Sequence, residues 1–470
     1  MGGEWLTIGD VADVYDGPHA TPKKIDDGPY FLSISSLESG KLDLSKSARI
    51  SEEQFIKWTR RVIPEYGDVL FSYETRLGEA AMMPPDIRAC LGRRMGLLRP
   101  HRNKVDPRYL LYYYLGPDFQ REIKARTNSG ATVDRIALKE LPSFPIRVPE
   151  LGEQQKIAQI LGGVDDKIEL NRQINTTLES MAQALFKSWF VDFDPVIDNA
   201  LAAGNDIPDA LQAKAAKRKA LGANRKPLPE GLQQQFPDRF VFAEEIGWVP
   251  EGWEVCNFGK IIGQTIGGDW GKDGHDEKHV HEVAIVRGTD IPAIRSGSRG
   301  GVPTRWVEAK KFITRELIDG DIVLEVSGGS PKQPTGRSVL ITSQTIHQLG
   351  GLVVPASFCR KLRPISVELG VYASLHLSWI YSLGKMWGYQ NQSTGISNFQ
   401  TKAFLEAEHI VLPSCQAVMD EFYRLVRPLI NKSRARESES LAALRDTLLP
   451  KLLSGELRIP EAEKQLAEAL

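Results

Sequence analysis

The sequence has few cysteines, and none of them are close together. Cys90, Cys256, Cys359 and Cys415 form no CxxC motif. Their spacing favours reduced thiols in a cytosol over a disulfide framework or a zinc site. The sequence also lacks a run of about 18 or more apolar residues, and its start has no basic segment followed by an apolar one. We therefore expect no membrane span, no signal peptide and a cytoplasmic location.

An excess of charge of one sign is missing as well. The 470 residues include 59 Lys and Arg against 60 Asp and Glu, and 41% of them are hydrophobic. This balance excludes a generic polycation and wholesale disorder. A nucleic-acid ligand would therefore require positive charge gathered locally, because Lys and Arg must lie near the phosphates. The length predicts two or three domains.

Motifs that carry catalysis are absent too. There is no NPPY-like tetrapeptide of adenine methyltransferases, no Walker A loop and no GxSxG elbow. Asp118 and Glu122 imitate a compressed nuclease motif, but the segment that contains them is predicted to be helical throughout. His275, His279 and His281 lie in a charged segment that indicates a loop more than a metal site. The sequence therefore favours a protein without chemistry of its own.

What the sequence does contain is an imperfect internal repeat. Apolar runs such as Val69–Phe71 and Glu282–Val286 predict strands, and Tyr109–Ile123 predicts a helix. We therefore expect one mixed α/β body, built twice with loops of different length. Three pairs of segments match in the same order, namely 5–11 with 253–259, 66–71 with 319–324, and 129–149 with 393–413.

A long helical pattern follows the first copy, from about Glu153 to Phe190. Its predicted seam advances by alternating steps of three and four residues, which is typical of a coiled coil. Lys167 and Asn171 form a polar middle, and we expect them to fix the helix register at some cost in stability. The seam positions are Ile157, Ile160, Val164, Lys167, Asn171, Ile174, Leu178, Met181 and Leu185.

A second helical pattern runs from about Gln416 to Leu453, and Pro428 and Pro450 are expected to kink or divide it. Two ordinary core helices are the alternative, but charge-rich centres favour two exposed helices that pack on each other. The connector after the first helix is predicted to be mostly extended, with a short basic helix over Ala210–Leu221.

Together these patterns predict an α+β fold with two similar mixed α/β domains, separated and joined by two long helices that form an antiparallel coiled coil. The predicted segments are a first domain over 1–150, a helical region over 151–195, a connector over 196–250, a second domain over 251–413 and a second helical region over 414–470.

Several strings resemble one known family. The helical-region strings are the most specific, and the resemblance covers essentially the whole chain. The sequence resembles the specificity (S) subunit of type I restriction–modification systems. The strings are DGPHATP at 16–22, GDVLFSY at 67–73, EQQKIA at 153–158, LFKSWFVDFDP at 185–195, PEGW at 250–253 and LLSGEL at 452–457.

The resemblance implies a DNA-binding subunit that performs no catalysis. Each of its two target-recognition domains would read one half of a bipartite site on double-stranded DNA, and the helices would act as the ruler between them. Methyltransferase (M) subunits would dock on the helical regions, and motor-nuclease (R) subunits would join the complex. S-adenosylmethionine, ATP and Mg²⁺ would bind these partners rather than this chain. The alternatives are a stand-alone nuclease or methyltransferase, and a DNA-binding regulator or architectural protein.

Candidate DNA contacts in the first copy lie on loops and in one basic segment. Short polar and basic side chains on loops suit base edges and phosphates, and Arg76 suits guanine, with Glu74 either contacting cytosine or orienting Arg76. The basic segment Arg88–Arg108 is the strongest electrostatic signal of the domain, although ordinary surface ion pairs would also account for it. The candidates are His19, Thr21, Lys23, Lys24, Tyr73, Glu74, Thr75, Arg76, Arg93 and Arg94.

In the second copy, the matching loop has glycines that allow close backbone approach, with Gln suited to adenine and Arg to guanine. It imitates a phosphate-binding loop, but Gly329 and Gly336 are too far apart and Arg337 stands where Lys belongs. An amide-rich loop follows, for which an ordinary polar loop is the alternative. The candidates are Ser327, Ser330, Lys332, Gln333, Thr335, Arg337, Gln390 and Gln392.

Overall fold

The structure, a computed structural model, describes residues 3–18, 20–38, 40–129, 133–222, 228–330, 333–393 and 396–469. The chain forms two compact units. Unit 1 consists of Met1–Glu169 and Ser440–Leu470, and unit 2 consists of Leu170–Glu439. Both boundaries fall inside helices, so each unit contains part of the same two helical segments.

The first copy of the repeat forms the α+β body of unit 1. Its strands are β1 (Glu4–Thr7), β2 (Ala12–Asp16), β3 (Ile25–Phe31), β4 (Leu37–Glu38), β5 (Lys41–Leu42), β6 (Ala48–Arg49), β7 (Val69–Ser72), β8 (Ala80–Met82), β9 (Ala89–Cys90), β10 (Met95–Pro100), β11 (Thr127–Ser129), β12 (Asp134–Ile136) and β13 (Pro145–Val148). Its helices are α1 (Ile8–Val11), α2 (Glu52–Trp58), α3 (Pro107–Leu115) and α4 (Pro117–Ala125).

A long helix and the connector come next. The connector was predicted to be mostly extended with one short basic helix, which is wrong, because helices occupy about half of its described residues. Pro195 stands in the first turn of its helix, where a proline fits without losing a hydrogen bond. The basic helix predicted over Ala210–Leu221 is confirmed. The elements are α5 (Leu151–Phe190), α6 (Asp194–Ala203), α7 (Asp209–Leu221), α8 (Glu230–Gln233), β14 (Phe240–Ala243) and β15 (Gly247–Pro250).

The second copy forms the body of unit 2. Its strands are β16 (Glu254–Asn257), β17 (Ile262–Gly267), β18 (His279–Val286), β19 (Thr304–Glu308), β20 (Ile322–Glu325), β21 (Ser327–Gly328), β22 (Ser338–Leu340), β23 (Val353–Pro355), β24 (Cys359–Pro364), β25 (Gln390–Ser393), β26 (Ile396–Phe399) and β27 (His409–Leu412). Its helices are α9 (Ile291–Arg295), α10 (Ala309–Arg315), α11 (Ser343–Leu349), α12 (Val367–Ser382) and α13 (Thr401–Ala407), and the chain ends with α14 (Gln416–Ser433), α15 (Glu437–Ser454) and α16 (Ile459–Ala469).

The two bodies share one topology, which confirms the internal repeat. A four-stranded sheet has the order β2-β10-β7-β8 in unit 1 and β17-β24-β20-β22 in unit 2. Each body also has a three-stranded sheet, with the order β6-β3-β9 in unit 1 and β19-β18-β23 in unit 2. Each of these sheets contains one parallel pair of strands. The first strand of each body pairs with its last, β1 with β13 and β16 with β27. The bodies differ at a hairpin, where β21 adds a strand in unit 2.

The helix predicted over Tyr109–Ile123 is two helices, α3 and α4. Pro117 is the first residue of α4 and follows Gly116, which has an extended backbone. Since a residue before proline is biased away from helical angles, the helix ends there and a new one begins. The tyrosines of α3 are buried among the apolar residues of unit 1.

In unit 1, α5 and α15 form an antiparallel pair. Ile157 and Leu161 belong to one apolar cluster with Leu448 and Leu452, whereas Val164 and Ile168, further along α5, contact Leu441, which comes earlier in α15. The chain directions of the two helices are therefore opposite. Lys167 is exposed, and the next residue, Ile168, is buried instead. The prediction that Lys167 lies in the seam was therefore wrong. A 3.6-residue period shifts the buried face by one position relative to a strict three-and-four pattern.

In unit 2, the second half of α5 packs on α14. Phe190 and Phe422 have ring centroids 4.8 Å apart in an edge-to-face arrangement, and Trp189 lies 5.7 Å from Phe422. Asn171 is buried as predicted, with 6% of its surface exposed. Ile174 and Met181 were placed in the seam but are exposed, at 39% and 49%.

The second helical segment is interrupted, but not at its prolines. Pro428 lies inside α14 and Pro450 inside α15, whereas the break comes at residues 434–436. The Arg434 side chain is buried and donates a hydrogen bond to the Leu340 carbonyl. A Cβ on Gly297 would lie 2.8 Å from the carbonyl carbon of Arg434. Tertiary contacts of Arg434 therefore end the helix.

Candidate nucleic-acid interface

Three loops of unit 1 meet at the edge where β7 ends. The amide of Tyr73 donates to the carbonyl of Arg94 at 3.2 Å, which joins the end of β7 to the start of β10. The amide of Ile136 donates to the Tyr73 carbonyl at 2.9 Å, and the amide of Thr75 donates to the Asp134 carbonyl at 3.3 Å. The β11–β12 hairpin therefore packs beside the candidate segment 73–76.

Glu74, Thr75 and Arg94 form one small cluster. The Arg94 Nε lies 2.9 Å from Glu74 Oε1, and Arg94 Nη1 donates to Thr75 Oγ1 at 3.3 Å. Thr75 and Arg94 both have positive φ, at 74° and 71°. A β-branched residue rarely adopts this conformation, and such strain is concentrated at functional sites.

Arg76 points away from this cluster. Its guanidinium donates to the Ile34 carbonyl at 3.0 Å and to Glu79 at 3.2 Å. The suggestion that Glu74 orients Arg76 was therefore wrong, because Glu74 is paired with Arg94 instead.

Tyr73 is a core residue rather than a surface contact. Its side chain is 6% exposed, and its hydroxyl has no hydrogen-bond partner among the described residues. Burial raises the pKa of Tyr73, which keeps the phenol neutral. Its ring supports the loop that carries Glu74 and Thr75.

Most of the basic segment Arg88–Arg108 is engaged within the protein. Arg88 donates two hydrogen bonds of 2.8 Å to Glu52, and Arg108 donates to Asp166 at 3.0 Å. The surface ion pairs considered as the alternative therefore account for much of this charge. Arg93 differs, because it is exposed and its side chain makes no hydrogen bond or ion pair within the part of the chain that the structure describes.

The loop between β2 and β3 begins beside this cluster. A Cβ on Gly17 would lie 2.5 Å from the Gly92 carbonyl oxygen, so the two loops approach at a distance that only glycine permits. Thr21, Lys23 and Lys24 follow in this loop and are exposed. His19, the remaining candidate here, lies outside the described residues.

Unit 2 repeats two of these loop connections. The amide of Val326 donates to the Phe358 carbonyl at 2.9 Å, as Tyr73 does to Arg94. The amide of Phe399 donates to the Val326 carbonyl at 2.8 Å, matching the bond between Ile136 and Tyr73. The second set of candidates therefore lies at the corresponding edge of the second body.

These loops of unit 2 enclose a cavity of about 700 Å³, which we call the reader cavity. Ser327, Gln333 and Arg337 line it, so three predicted contacts come together. Arg337 Nε donates at 2.8 Å to Glu325, which is buried. This hydrogen bond raises the pKa of Arg337, so the guanidinium is charged and held in one orientation.

Thr335 supports a neighbour instead of facing a ligand. It is fully buried, and both its amide and its hydroxyl donate to the Oε1 of Gln390 at 3.0 Å. Ser330 and Gln333 are exposed and exchange backbone hydrogen bonds across a tight turn. Lys332 lies outside the described residues, as does the side chain of Gln392.

Two exposed aromatic residues of the reader cavity were not among the sequence candidates. Trp270 is 40% and Phe358 65% exposed. The Arg305 guanidinium lies 4.7 Å from the centre of the Trp270 ring. The repeat could have indicated Trp270, since the Gly268 amide donates to the Cys359 carbonyl as Gly17 does to Met95. Trp270 therefore stands two residues after its glycine in the sequence, as His19 does after Gly17.

The described residues contain no cluster of three potential metal ligands. The three histidines make separate contacts: His275 lies against Trp306, His281 stacks on Phe312, and His279 forms a hydrogen bond with Asp276.

The segment that resembles a nuclease motif is one surface helix, in which Asp118 pairs with Arg121 and Glu122 with Arg126. No described helix is long and apolar enough to cross a membrane. All four cysteines are free thiols.

Comparisons with known proteins agree with this arrangement. Residues 4–180 match the family of the type I restriction modification DNA specificity domain. The HindI specificity subunit of a type I restriction enzyme from Haemophilus influenzae is 29% identical over 426 residues, covering 83% of this chain and 86% of the relative. The MjaIX specificity subunit from Methanocaldococcus jannaschii is 23% identical, covering 95% and 88%. The crystal structure of an S subunit from M. genitalium shares the fold, with a TM-score of 0.51, 15% identity and 96% of both chains covered.

Proposed function

Because this chain belongs to the type I restriction–modification specificity family, we propose that it is the sequence-reading subunit of such a complex. It binds double-stranded DNA at a bipartite target, and each unit reads one half. It directs adenine methylation and cleavage that partner subunits perform, and it carries out no catalysis itself.

One observation carries this proposal: the same loop cluster occurs twice. In unit 1 it contains Thr75 and Arg94, and the corresponding loops of unit 2 contain Ser327 and Phe358. Both clusters stand at the end of the central strand of a four-stranded sheet, β7 or β20. Two similar readers in one chain suit two half-sites, as the two halves of a dimeric reader do.

The proposal includes the partners and their cofactors. Methyltransferase subunits dock on the helical regions and motor-nuclease subunits join that core, in the cytoplasm. S-adenosylmethionine, ATP and Mg²⁺ bind those partners.

The test is genome-wide mapping of methylated adenine in cells that express the partner subunits. Three strains are compared: one with this gene, one without it, and one with Gln333→Ala, an exposed residue of the reader cavity. We expect a bipartite motif that vanishes when the gene is deleted. Gln333→Ala should relax one half of the motif and leave the other half intact.

An unchanged methylome on deletion, with partners shown to be active, would overturn the proposal. Equal relaxation of both half-sites by Gln333→Ala would contradict the assignment of one half to each unit. Purified protein that methylates or cuts DNA without partners would contradict the non-catalytic role.

A further inference from the structure

A second cavity of unit 2, of about 350 Å³, lies where α5, α9, β22 and α12 converge. We call it the arginine cavity. Arg172 of α5, Arg295 of α9 and Arg337 line it, and Glu179 is the carboxylate among its lining residues. Asn175 and Thr176 add neutral polar groups to the same wall. The lining side chains therefore include three guanidinium groups and one carboxylate, and the Arg337 guanidinium is paired with Glu325 outside this lining.

Arg295 has few partners for its charge. Its guanidinium has five N–H donors, and within the described part of the chain one hydrogen bond is formed, to the Ser378 hydroxyl. No carboxylate lies within ion-pair distance of it in that part. Glu179 acts on it electrostatically and raises its pKa, but burial has the larger effect and lowers that pKa.

The protein treats its other enclosed arginines differently. Arg99 is paired with Asp68, Arg218 with Asp198 and Arg363 with Asp321. Each of these carboxylates is almost fully buried, so the charge is balanced inside the protein. Arg295 departs from this rule.

A second such arginine lies close enough to Arg295 for the two charges to repel. Arg434 is 5% exposed, and its Nε has no hydrogen-bond partner among the described residues. Burial, with the charge of Arg295, lowers the pKa of Arg434 to about 10. An anion in the arginine cavity would stabilise the charged forms of both residues.

We propose that the arginine cavity binds a phosphate group. Guanidinium groups bind phosphate through paired N–H donors, and the cavity presents such donors from two different helices. The rim includes exposed residues such as Pro292 and Ser296, so an anion can enter from solvent.

Two sources of phosphate fit this chemistry, namely the DNA backbone and free phosphate. Arg337 lines the arginine cavity and the reader cavity alike, so a phosphate here would lie next to the proposed reading site. The assignment to the DNA backbone rests on the proposed function. Binding of inorganic phosphate does not.

The first experiment is calorimetric titration of the full chain with inorganic phosphate at constant ionic strength. We expect saturable 1:1 binding with a dissociation constant of about 1 mM or tighter. Arg295→Gln should weaken it by about tenfold or more. Because this residue is partly enclosed, Arg172→Gln, on the exposed side of α5, provides a second variant less prone to misfold. Arg299→Gln is the matched control, since Arg299 is outside the cavity and bonds Thr304.

The second experiment measures DNA affinity against salt concentration for the same variants. If a backbone phosphate occupies the cavity, Arg172→Gln should reduce the slope of log K against log salt by about 1, and Arg299→Gln should not. An unchanged slope together with phosphate binding would assign the cavity to free phosphate.

The two failures are distinguishable. If the wild-type chain shows no saturable phosphate binding, or if folded Arg295→Gln and Arg172→Gln bind as tightly as Arg299→Gln, the inference is overturned. Sequence-specific DNA binding would survive that result. If phosphate binds and the methylome is independent of the gene, the proposed function fails while the phosphate site stands.

Discussion

Arg99 and Asp68 form a double hydrogen bond, with Arg99 Nε 3.0 Å from Oδ1 and Nη2 2.8 Å from Oδ2. Arg363 and Asp321 repeat it in unit 2, at 2.8 and 2.7 Å. In both units the aspartate follows a glycine of positive φ and immediately precedes a buried strand of the four-stranded sheet, β7 or β20. The pair anchors the strand whose far end carries the candidate reading loop.

Asp321→Asn should therefore destabilise unit 2 by about 2–3 kcal/mol, because it leaves a partly buried guanidinium without its charged partner. Asp68→Asn should do the same in unit 1. Amide hydrogen exchange under increasing urea measures the free energy of unfolding of each unit separately, in β20 for unit 2 and in β7 for unit 1. Asp118→Asn, in an exposed pair with Arg121, is the control and should cost less than about 0.5 kcal/mol. Losses no larger than the control would contradict the anchoring role.

Arg93→Ala should weaken DNA binding without loss of stability, because the side chain is exposed and makes no ion pair among the described residues. The slope of log K against log salt should fall by about 1 if Arg93 contacts a phosphate. Arg88→Ala serves as the control in the same segment, since Arg88 is held by Glu52. Equal slopes for the two variants would rule out a phosphate contact by Arg93.

Trp270→Ala and Phe358→Ala should each reduce the affinity for target DNA by about 1–2 kcal/mol, because both expose apolar surface in the reader cavity. The loss of affinity should disappear when the half-site read by unit 2 is scrambled. It should persist when the half-site read by unit 1 is scrambled. Phe242→Ala is the control, since Phe242 is 63% exposed but belongs to the β14–β15 hairpin. Fluorescence anisotropy with labelled duplexes measures all three, and a loss equal to that of Phe242→Ala would count against the aromatic contacts.

Asn171→Leu should stabilise unit 2 by about 1 kcal/mol, because the Nδ2 of Asn171 is buried and has no hydrogen-bond partner in the described structure. If Asn171 fixes the helix register, the variant should alter subunit assembly, measured by native mass spectrometry, and the spacer of the methylated motif. Lys167→Leu, at an exposed position of α5, should alter neither. Unchanged assembly and spacer in Asn171→Leu would remove the register role.

His376 should make unit 2 sensitive to mild acid. Burial lowers the pKa of His376 below its ordinary 6.5, although Glu408, whose Oε1 is 3.0 Å away, acts in the opposite direction. Below pH 6.5 the unfolded chain binds a proton that the folded chain does not, so stability is lost as the pH falls from 6.5 towards the folded pKa.

The thermal midpoint should therefore fall between pH 7.5 and pH 5.5, and His376→Gln should flatten this dependence. His347→Gln, on the partly exposed helix α11, is the control. A pH profile of His376→Gln parallel to that of the wild type would refute the assignment.

The sequence predicted the elements that depend on local pattern. Repeated motifs such as Gly67-Asp68 and Gly320-Asp321 indicated two equivalent bodies, and the apolar period indicated α5 almost to its ends. The exposure of Lys167 could not be predicted, because one residue of drift in the seam depends on the packing partner. The helix break at Arg434 could not either, since it follows from the fit of that side chain near Leu340.

The candidate site was predictable at the level of loops more than of side chains. The segments 73–76 and 327–337 were identified because they follow buried strands. Whether an arginine is available depends on carboxylates distant in sequence, as Glu52 is from Arg88. Thr335 was identified as a polar loop residue, but its burial against Gln390 is a tertiary property.

The pairing of first and last strands has a consequence for inheritance. In the first body Glu4 stands opposite Val148, and in the second Glu254 stands opposite Leu412, so each body starts and finishes at neighbouring points. Recombination that replaced everything between such points would leave the helices and their connections untouched. A lineage could therefore acquire a new DNA target in one genetic exchange, without having to re-evolve the rest of the machine.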